Sequence, residues 1–443
     1  MNEPVDALAT NCREQARSGL QRGDAARAEQ AYSCLLELLP DDAEALQFLA
    51  GQELGRGHAL RAIELLRAAR STRPADAAIL HQLGEAQMLA GDLAAAANSL
   101  REGLALAPGM FVARLRLGVV LEQLGQRHEA MLAYAGAINT AQSRGRWLDD
   151  STTAAGLRDA VKHAARYVSA IRHELFDAIM EPLRERYGRS ELQRVDLCLS
   201  IYLGGQPAPV PDPRQRPRFL YFPGIPSQPF YPRERFPAQA RLEAAVDAIR
   251  GELLATLAQP QQDVVPFLGT DSATAMAARL LGAAGADEPA WDAFFFYRHG
   301  ERHDANCARC PHTSGVLDSM PLVRVREHAP ETLFSILRPG THILPHHGVT
   351  NTRLVTHLPL VVPPDCALRV GGEIHAWQEG RCVTFDDTFE HEAWNRSTRD
   401  RAVLIVDSWN PDLSQAEQAA VADLVAAIGD FNRASEASSL PRP

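Results

Sequence analysis

Apolar positions in the first third of the chain recur at helical spacing, and the whole pattern repeats as a block every 34 residues. Gly23, Gly57, Gly91 and Gly125 share one register and Ala28, Ala62, Ala96 and Ala130 a second. Pro40, Pro74 and Pro108 share a third, and Tyr32, Leu66, Leu100 and Tyr134 a fourth. Leu83-Gly84 and Leu117-Gly118 also stand one period apart. Each block predicts two antiparallel helices. The glycine supplies a left-handed turn, the alanine lets the helices close up, the bulky residue fills the groove between units, and the proline ends the second helix. Helical spacing continues over 143–205 and then stops abruptly. Ten of the 29 prolines fall between Pro207 and Pro237, in a stretch that neither helix nor central strand accommodates; its Phe and Tyr residues predict an extended segment laid on a surface. The domain boundary is placed there, at 206–237.

A helix at about 238–258 precedes a change of period. Residues 332–338, 353–362, 367–370, 373–378, 381–386, 391–397 and 402–409 read as short strands bounded by turn residues. Such spacing predicts an antiparallel double sheet of the jelly-roll kind. Ser414 and Glu417 predict a capping box opening a terminal helix. The repeats over 7–142 resemble tetratricopeptide repeats, four units in number. Such an array offers a concave groove for a peptide or protein, or else a scaffold that caps or dimerises a neighbour; repeats alone specify no ligand.

Composition narrows the function. Forty-five Lys and Arg against 55 Asp and Glu leave a formal charge of −10, which opposes electrostatic nucleic-acid binding. No apolar run reaches the roughly 18–20 residues that span a bilayer. The polar first residues are not a secretory signal, and seven scattered cysteines imply no disulfide framework, so a cytoplasmic protein is expected.

Most candidate chemistry lies in the strand-rich part. His342, His346, His347, His357, His375 and His391 fall within 50 residues, and metals are held by imidazoles converging from different strands. Pro345-His346-His347-Gly348 is the best proximal ligand motif, with Gly348 where a carboxylate would complete a two-His-one-carboxylate triad. His391 is the distant partner. Asp386 and Asp387 precede it, either as a further ligand or as the turn that leads to it. Arg401 opens the last long strand, where a guanidinium fork suits a dicarboxylate. Cys307-Ala308-Arg309-Cys310 has CxxC spacing but no second CxxC, and reads as a surface loop beside the site, open to a disulfide.

FSILRPGTHILPHHGVTNTRLVTHLPLVV, GRCVTFDDTFEHEAWN and RAVLIVDSWNPDLS, in that order, resemble the aspartyl/asparaginyl β-hydroxylases, and DANCARCPHTSGVLDSMP resembles that family's Cys-containing loop. The resemblance is close over roughly 290–415. It implies a double-stranded β-helix dioxygenase using iron(II), 2-oxoglutarate and O2, over 238–430. It further implies His346 and His391 as the two iron ligands, with Gly348 at the missing-carboxylate position. Arg401 and Ser335 then match the residues on the far carboxylate of 2-oxoglutarate, and His357 one near its iron-side carboxylate. The family commonly reads Asn-X-Arg-Leu-Arg-X-His, whereas this chain runs from Asn351 to His357 with Val355 at the second arginine; Arg353, Arg369 and Arg338 are the candidates to compensate. Arg353, His347 and Tyr297 are the candidate substrate contacts. The expected substrate is an Asp/Asn-type residue of a peptide or protein, hydroxylated at Cβ, with the repeats recruiting substrate or partner. A free or carrier-bound amino acid is the alternative substrate, and a non-catalytic repeat scaffold with a degenerate barrel the alternative class.

Overall fold

A computed structural model describes residues 3–259, 263–268, 280–283 and 289–437; the remaining parts of the expected 238–430 domain lie outside the described residues. The chain forms two compact units, one of residues up to Glu174 with those from Asp430 on, the other Leu175–Gly429. The division falls inside a helix upstream of the proline-rich segment, which folds into the second unit.

The first unit is built on four helix pairs: α1 (Glu3–Gln21) with α2 (Ala25–Leu38), α3 (Ala43–Gly55) with α4 (Ala59–Thr72), α5 (Ala77–Leu89) with α6 (Leu93–Leu106), and α7 (Phe111–Gln123) with α8 (Arg127–Gln142). The glycines of the first register turn each pair with φ of 73, 83, 82 and 73°. The four alanines of the second register are fully buried. At Gly118 a Cβ would stand 2.4 Å from the Tyr134 ring, and at Gly84 2.6 Å from Leu100 Cγ, so two of the units pack against bare backbone. Asp24, Asp42, Asp76 and Asp92 cap their helices by accepting main-chain N–H bonds. After a loop and a short 3-10 turn, α9 (Arg158–Tyr187) runs from the first unit into the second, where α10 (Gln193–Tyr202) follows.

The second unit is a pair of antiparallel sheets. Its strands are β1 (Phe230–Tyr231), β2 (Val265–Pro266), β3 (Leu281–Ala283), β4 (Trp291–Arg298), β5 (Glu301–Arg302), β6 (Thr332–Leu337), β7 (Thr341–His346), β8 (Arg353–Val361), β9 (Cys366–Val370), β10 (Glu373–His375), β11 (Val383–Phe385), β12 (His391–Asn395) and β13 (Arg401–Trp409). The major sheet has the order β1-β11-β8-β13-β6-β4-β2, with β5 paired to β4, and the minor sheet β10-β9-β12-β7-β3. The connectivity is that of a jelly roll. Alternation along β8 sorts its residues: Arg353, Val355 and His357 face inward, while Leu354, Thr356 and Leu358 face the other way. The inner core of Leu337, Ile343, Val355, Leu368, Trp377, Phe385 and Val403 draws on both sheets.

The outer face of the major sheet is covered by α11 (Gln239–Ala244), α12 (Val246–Leu257), α13 (Asp304–Arg309) and α14 (Pro311–Asp318). The helix expected at 238–258 is therefore two, broken at Ala245. Cys307 and Cys310 correct the surface-loop expectation. Both are buried free thiols on or next to these short helices, packed among Leu253, Phe294 and Leu317, because a short amphipathic helix buries its small apolar residues against the sheet. Ser414 and Glu417 form the expected reciprocal capping box at α15 (Gln415–Ala437). No described helix is long and apolar enough to cross a membrane.

Candidate active site

His346 ends β7 and His391 opens β12, directly paired in register, with ring centroids 4.1 Å apart. A β-bulge makes this possible. Between His391 and Ala393 the partner strand advances from His346 to Ile343, so Leu344 and Pro345 add an extra residue and turn His346 onto the same inner face as Ile343. Pro345 donates no ladder bond, which suits a bulge. The His346 Nδ1 lies 2.8 Å from Leu344 O, and the His391 Nδ1 3.1 Å from Phe389 O. Both carbonyls select the Nδ1–H tautomer and leave each Nε2 as a lone-pair donor, which is how metal-binding imidazoles are held. Burial lowers both pKa values, that of His391 to about 4, so both rings are neutral at pH 7.

Beside this pair lies a carboxylate. A Cβ on Gly348 would be 2.2 Å from Asp387 Oδ1, so the glycine leaves the space that Asp387 fills. Asp387 Oδ2 accepts from Arg353 Nη2 at 3.0 Å, whereas its buried Oδ1 has no partner. Arg353 Nη1 reaches Asp407 Oδ1 at 3.1 Å. Among the described residues no group of three or more His, Cys, Asp or Glu stands ready as a ligand set. What the fold offers a divalent metal is two imidazoles with an acceptor oxygen nearby, and these donors fit iron(II).

The inner wall also holds a buried cation that has no anion beside it among the described residues. Arg401 is 1% exposed, and its Nε and Nη1 have no hydrogen-bond partner. The guanidinium lies over the Trp377 ring at 4.8 Å, and desolvation lowers its pKa to about 10. A buried charge without a counterion is costly, and a ligand carboxylate would relieve that cost. Ser335, on β6 opposite Val403, lies on the same face and accepts from Trp291 Nε1 at 2.9 Å. His357 is buried between Trp377 and Phe385, with ring centroids 5.9 and 5.0 Å away and its Nδ1 unpartnered. Burial, followed by the Arg401 charge, holds its pKa well below the usual histidine value.

The fold thus gathers His346, His391, His357, Arg401 and Ser335 on one inner face. Tyr297 is not among them. A register shift between Phe295 and Tyr297 turns it to the outer face, where it packs with Phe294 and Phe296 and donates to Asp318 at 3.2 Å. Arg353 is held by its two carboxylates. Arg338 is likewise tied to Asp292 and Asp400 and Arg369 to Glu392, so none of the three cations stands free to replace the arginine missing at Val355. Val355 itself packs in the inner apolar cluster. His347 lines a cleft of about 300 Å³ with Arg214, Arg216, Gly371, Gly372 and Glu390. Asp387 and Trp377 are the site residues that sequence reasoning undervalued. The adjacent aspartates immediately after a strand and just before His391 were the available signal.

The profile of the aspartyl/asparaginyl beta-hydroxylase family matches residues 243–411. Aspartate beta-hydroxylase domain-containing protein 2 of Rattus norvegicus is 32% identical over 257 residues, covering 56% of this chain and 70% of that protein. The aspartyl/asparaginyl beta-hydroxylase of Homo sapiens is 37% identical over 129 residues, which is 29% of this chain and only 17% of the human protein. An ornithine lipid ester-linked acyl 2-hydroxylase of Rhizobium tropici is 34% identical over 193 residues, 42% of this chain and 63% of that one. Among solved structures, the MamA protein aligns with 41% of this chain and 95% of its own, at 21% identity and a TM-score of 0.31.

Proposed function

Because the chain belongs to the aspartyl/asparaginyl β-hydroxylases, we propose that it is an iron(II)- and 2-oxoglutarate-dependent dioxygenase acting on Cβ of an aspartyl or asparaginyl residue in a peptide or protein. The observation that carries this reading is the His346–His391 pair, presented with both Nδ1 atoms engaged, on the same face as the unpaired guanidinium of Arg401. When bound, iron(II) with 2-oxoglutarate and dioxygen supplies the oxidising power to hydroxylate an unactivated carbon.

The residues divide the remaining work. His346 and His391 hold the metal through Nε2. Asp387 Oδ1, which has no partner among the described residues, offers an acceptor beside them, and Arg353 keeps the other oxygen of that carboxylate occupied. Arg401 and Ser335 grip the far carboxylate of 2-oxoglutarate, with the indole of Trp377 backing the guanidinium and excluding water. His357, a neutral donor, serves the inner carboxylate, which receives no guanidinium from position 355. The repeats recruit the substrate or a partner through their concave groove. We place the activity in the cytoplasm, where reductants keep iron(II) and the seven thiols reduced.

A non-peptide substrate, a free or carrier-bound amino acid or a lipid acyl chain, is the second reading, favoured by the Rhizobium relative whose name states acyl 2-hydroxylation. The test is to incubate the protein with iron(II), 2-oxoglutarate and ascorbate, offering Asp- and Asn-containing peptides beside ornithine lipid and free amino acids. We expect a peptide to gain one oxygen with matching succinate release, and His391→Ala to lose both. Oxygen gained only by the lipid or a free amino acid would overturn the peptide assignment; none gained, with no succinate, would favour a scaffold.

A further inference from the structure

The proline-rich segment carries Arg214-Gln215-Arg216-Pro217-Arg218, a two-residue alternation the proposed chemistry does not use. After a turn closed by Gln215 N on Asp212 O, the segment threads between the two loops that flank the histidine pair. Gln215 bridges to Phe389 and Arg216 N donates to Thr388 O at 2.8 Å, on the His391 side. Arg218 N donates to Gly348 O at 3.0 Å and Phe219 N to Val349 O at 2.9 Å, on the His346 side. At the bridge to Phe389 one side chain points inward and its neighbours do not. Gln215 turns in, 2% exposed, and donates to Asp386 Oδ2 at 2.7 Å, while the three arginines stay at the surface.

Their charges are not equally spent. Arg214 is paired with Asp212 at 2.6 Å and donates to Gly371 O at 2.7 Å. Arg216 makes only a main-chain contact, from Nε to Pro213 O, and among the described residues neither Arg216 nor Arg218 has a carboxylate partner. In a chain of net charge −10, two free guanidiniums set against the loops of one histidine pair form a local cationic rim.

We propose that Arg216, which lines the cleft with His347, and Arg218, two residues further along the same segment, are specificity-determining residues that bind acidic side chains flanking the target residue of a peptide substrate. The occupant class follows from the lining. The side chains that line the cleft, Arg214, Arg216, His347 and Glu390 around Gly371 and Gly372, end in charged or hydrogen-bonding groups, and its guanidiniums complement a carboxylate. Gly372 has open space where a Cβ would stand, which leaves room there for a peptide backbone, whereas Gly371 packs against Pro229 and Phe389. Glu390 opposes a doubly charged phosphate more than a single carboxylate, and it can accept a peptide N–H. The inference rests on the peptide reading of the active site but is tested separately from it.

The experiment uses the full chain and two fluorescently labelled nonapeptides that share a central Asn and differ only in having Glu or Gln at the flanking positions. Anisotropy titrations are run on the wild type, Arg216→Gln/Arg218→Gln and Arg216→Glu/Arg218→Glu, with anionic phospholipid vesicles alongside. We expect the wild type to bind the Glu peptide about tenfold more tightly than the Gln peptide, the sum of two modest exposed pairs. That preference should vanish in the Gln variant, and the charge-reversed variant should instead prefer a Lys-flanked peptide. Equal binding of both peptides by the wild type, or a preference surviving in the Gln variant, would overturn the rim. So would vesicle binding lost in the Gln variant without any peptide preference, which would assign the arginines to a lipid surface. Arginine-dependent binding of a peptide that is never hydroxylated would leave the rim standing and count against the catalytic reading. Hydroxylation of both peptides at rates the Gln variant does not alter would do the reverse.

Discussion

The two units treat polar side chains in opposite ways. In the repeat unit, charges on successive helix pairs answer one another: Arg13 with Asp42, Arg17 with Glu44, Arg56 with Glu29, Arg70 with Glu102 and Arg101 with Glu129. In the jelly roll, several buried atoms without partners among the described residues gather on one inner face, at Arg401 Nε and Nη1, His357 Nδ1, Trp377 Nε1 and Asp387 Oδ1. Leaving such atoms unmet costs stability, and a fold tolerates it where a ligand completes the set. The repeats pair most of their charges with one another and leave Gln82 Oε1 unmet, whereas the jelly roll gathers its unmet atoms around one inner face.

The sharpest way to break this contrast is to remove a cation from each unit. Arg353→Met would leave Asp387 and Asp407 buried without their shared guanidinium, and we expect a loss of about 3–5 kcal/mol in urea unfolding. Arg70→Met, at a solvent-screened pair, should cost less than about 1 kcal/mol. Equal losses would erase the distinction. Gly118→Ala probes packing instead of charge. The new methyl would press on the Tyr134 ring, so we expect about 1–3 kcal/mol of destabilisation with 2-oxoglutarate binding unchanged. The smallest effect is pH-dependent. Desolvation raises the Glu331 carboxyl from 4.5 to about 7. The folded state therefore holds this proton where the unfolded state has released it, and stability falls as pH rises through that window. Glu331→Gln should unfold at higher urea than wild type at pH 8, by an amount on the order of 1–2 kcal/mol, and show no advantage near pH 4.5.

Periodicity explains why the repeats were the more legible half. A 34-residue period fixes turn, close approach and helix stop together, and the positive φ of Gly57 and the crowding at Gly118 are what those registers require. In the jelly roll, the strands at 353–361 and 401–409 were legible from β-branched runs, whereas β7 was missed because Pro345 disguises it. That strand carries His346, whose inward turn depends on a bulge that only the β12 partner reveals. A second bulge explains Tyr297: simple alternation would set it beside Phe295, and one extra residue moves it to the opposite face. Motif spacing could name the paired histidines and Arg401. It could not show that Arg353 answers two carboxylates, or that Trp377 lies under Arg401, because those contacts join strands distant in sequence.

The central claim is that His346, His391 and Arg401 form one chelate site for iron(II) and 2-oxoglutarate. The direct measurement is to add both to the full chain without oxygen and record the visible metal-to-ligand charge-transfer band. The account predicts a band in the wild type that disappears in His346→Ala and in Arg401→Ala, with circular dichroism and the urea midpoint showing both variants still folded. A folded wild-type protein with no band, or a band that survives His346→Ala, would contradict it.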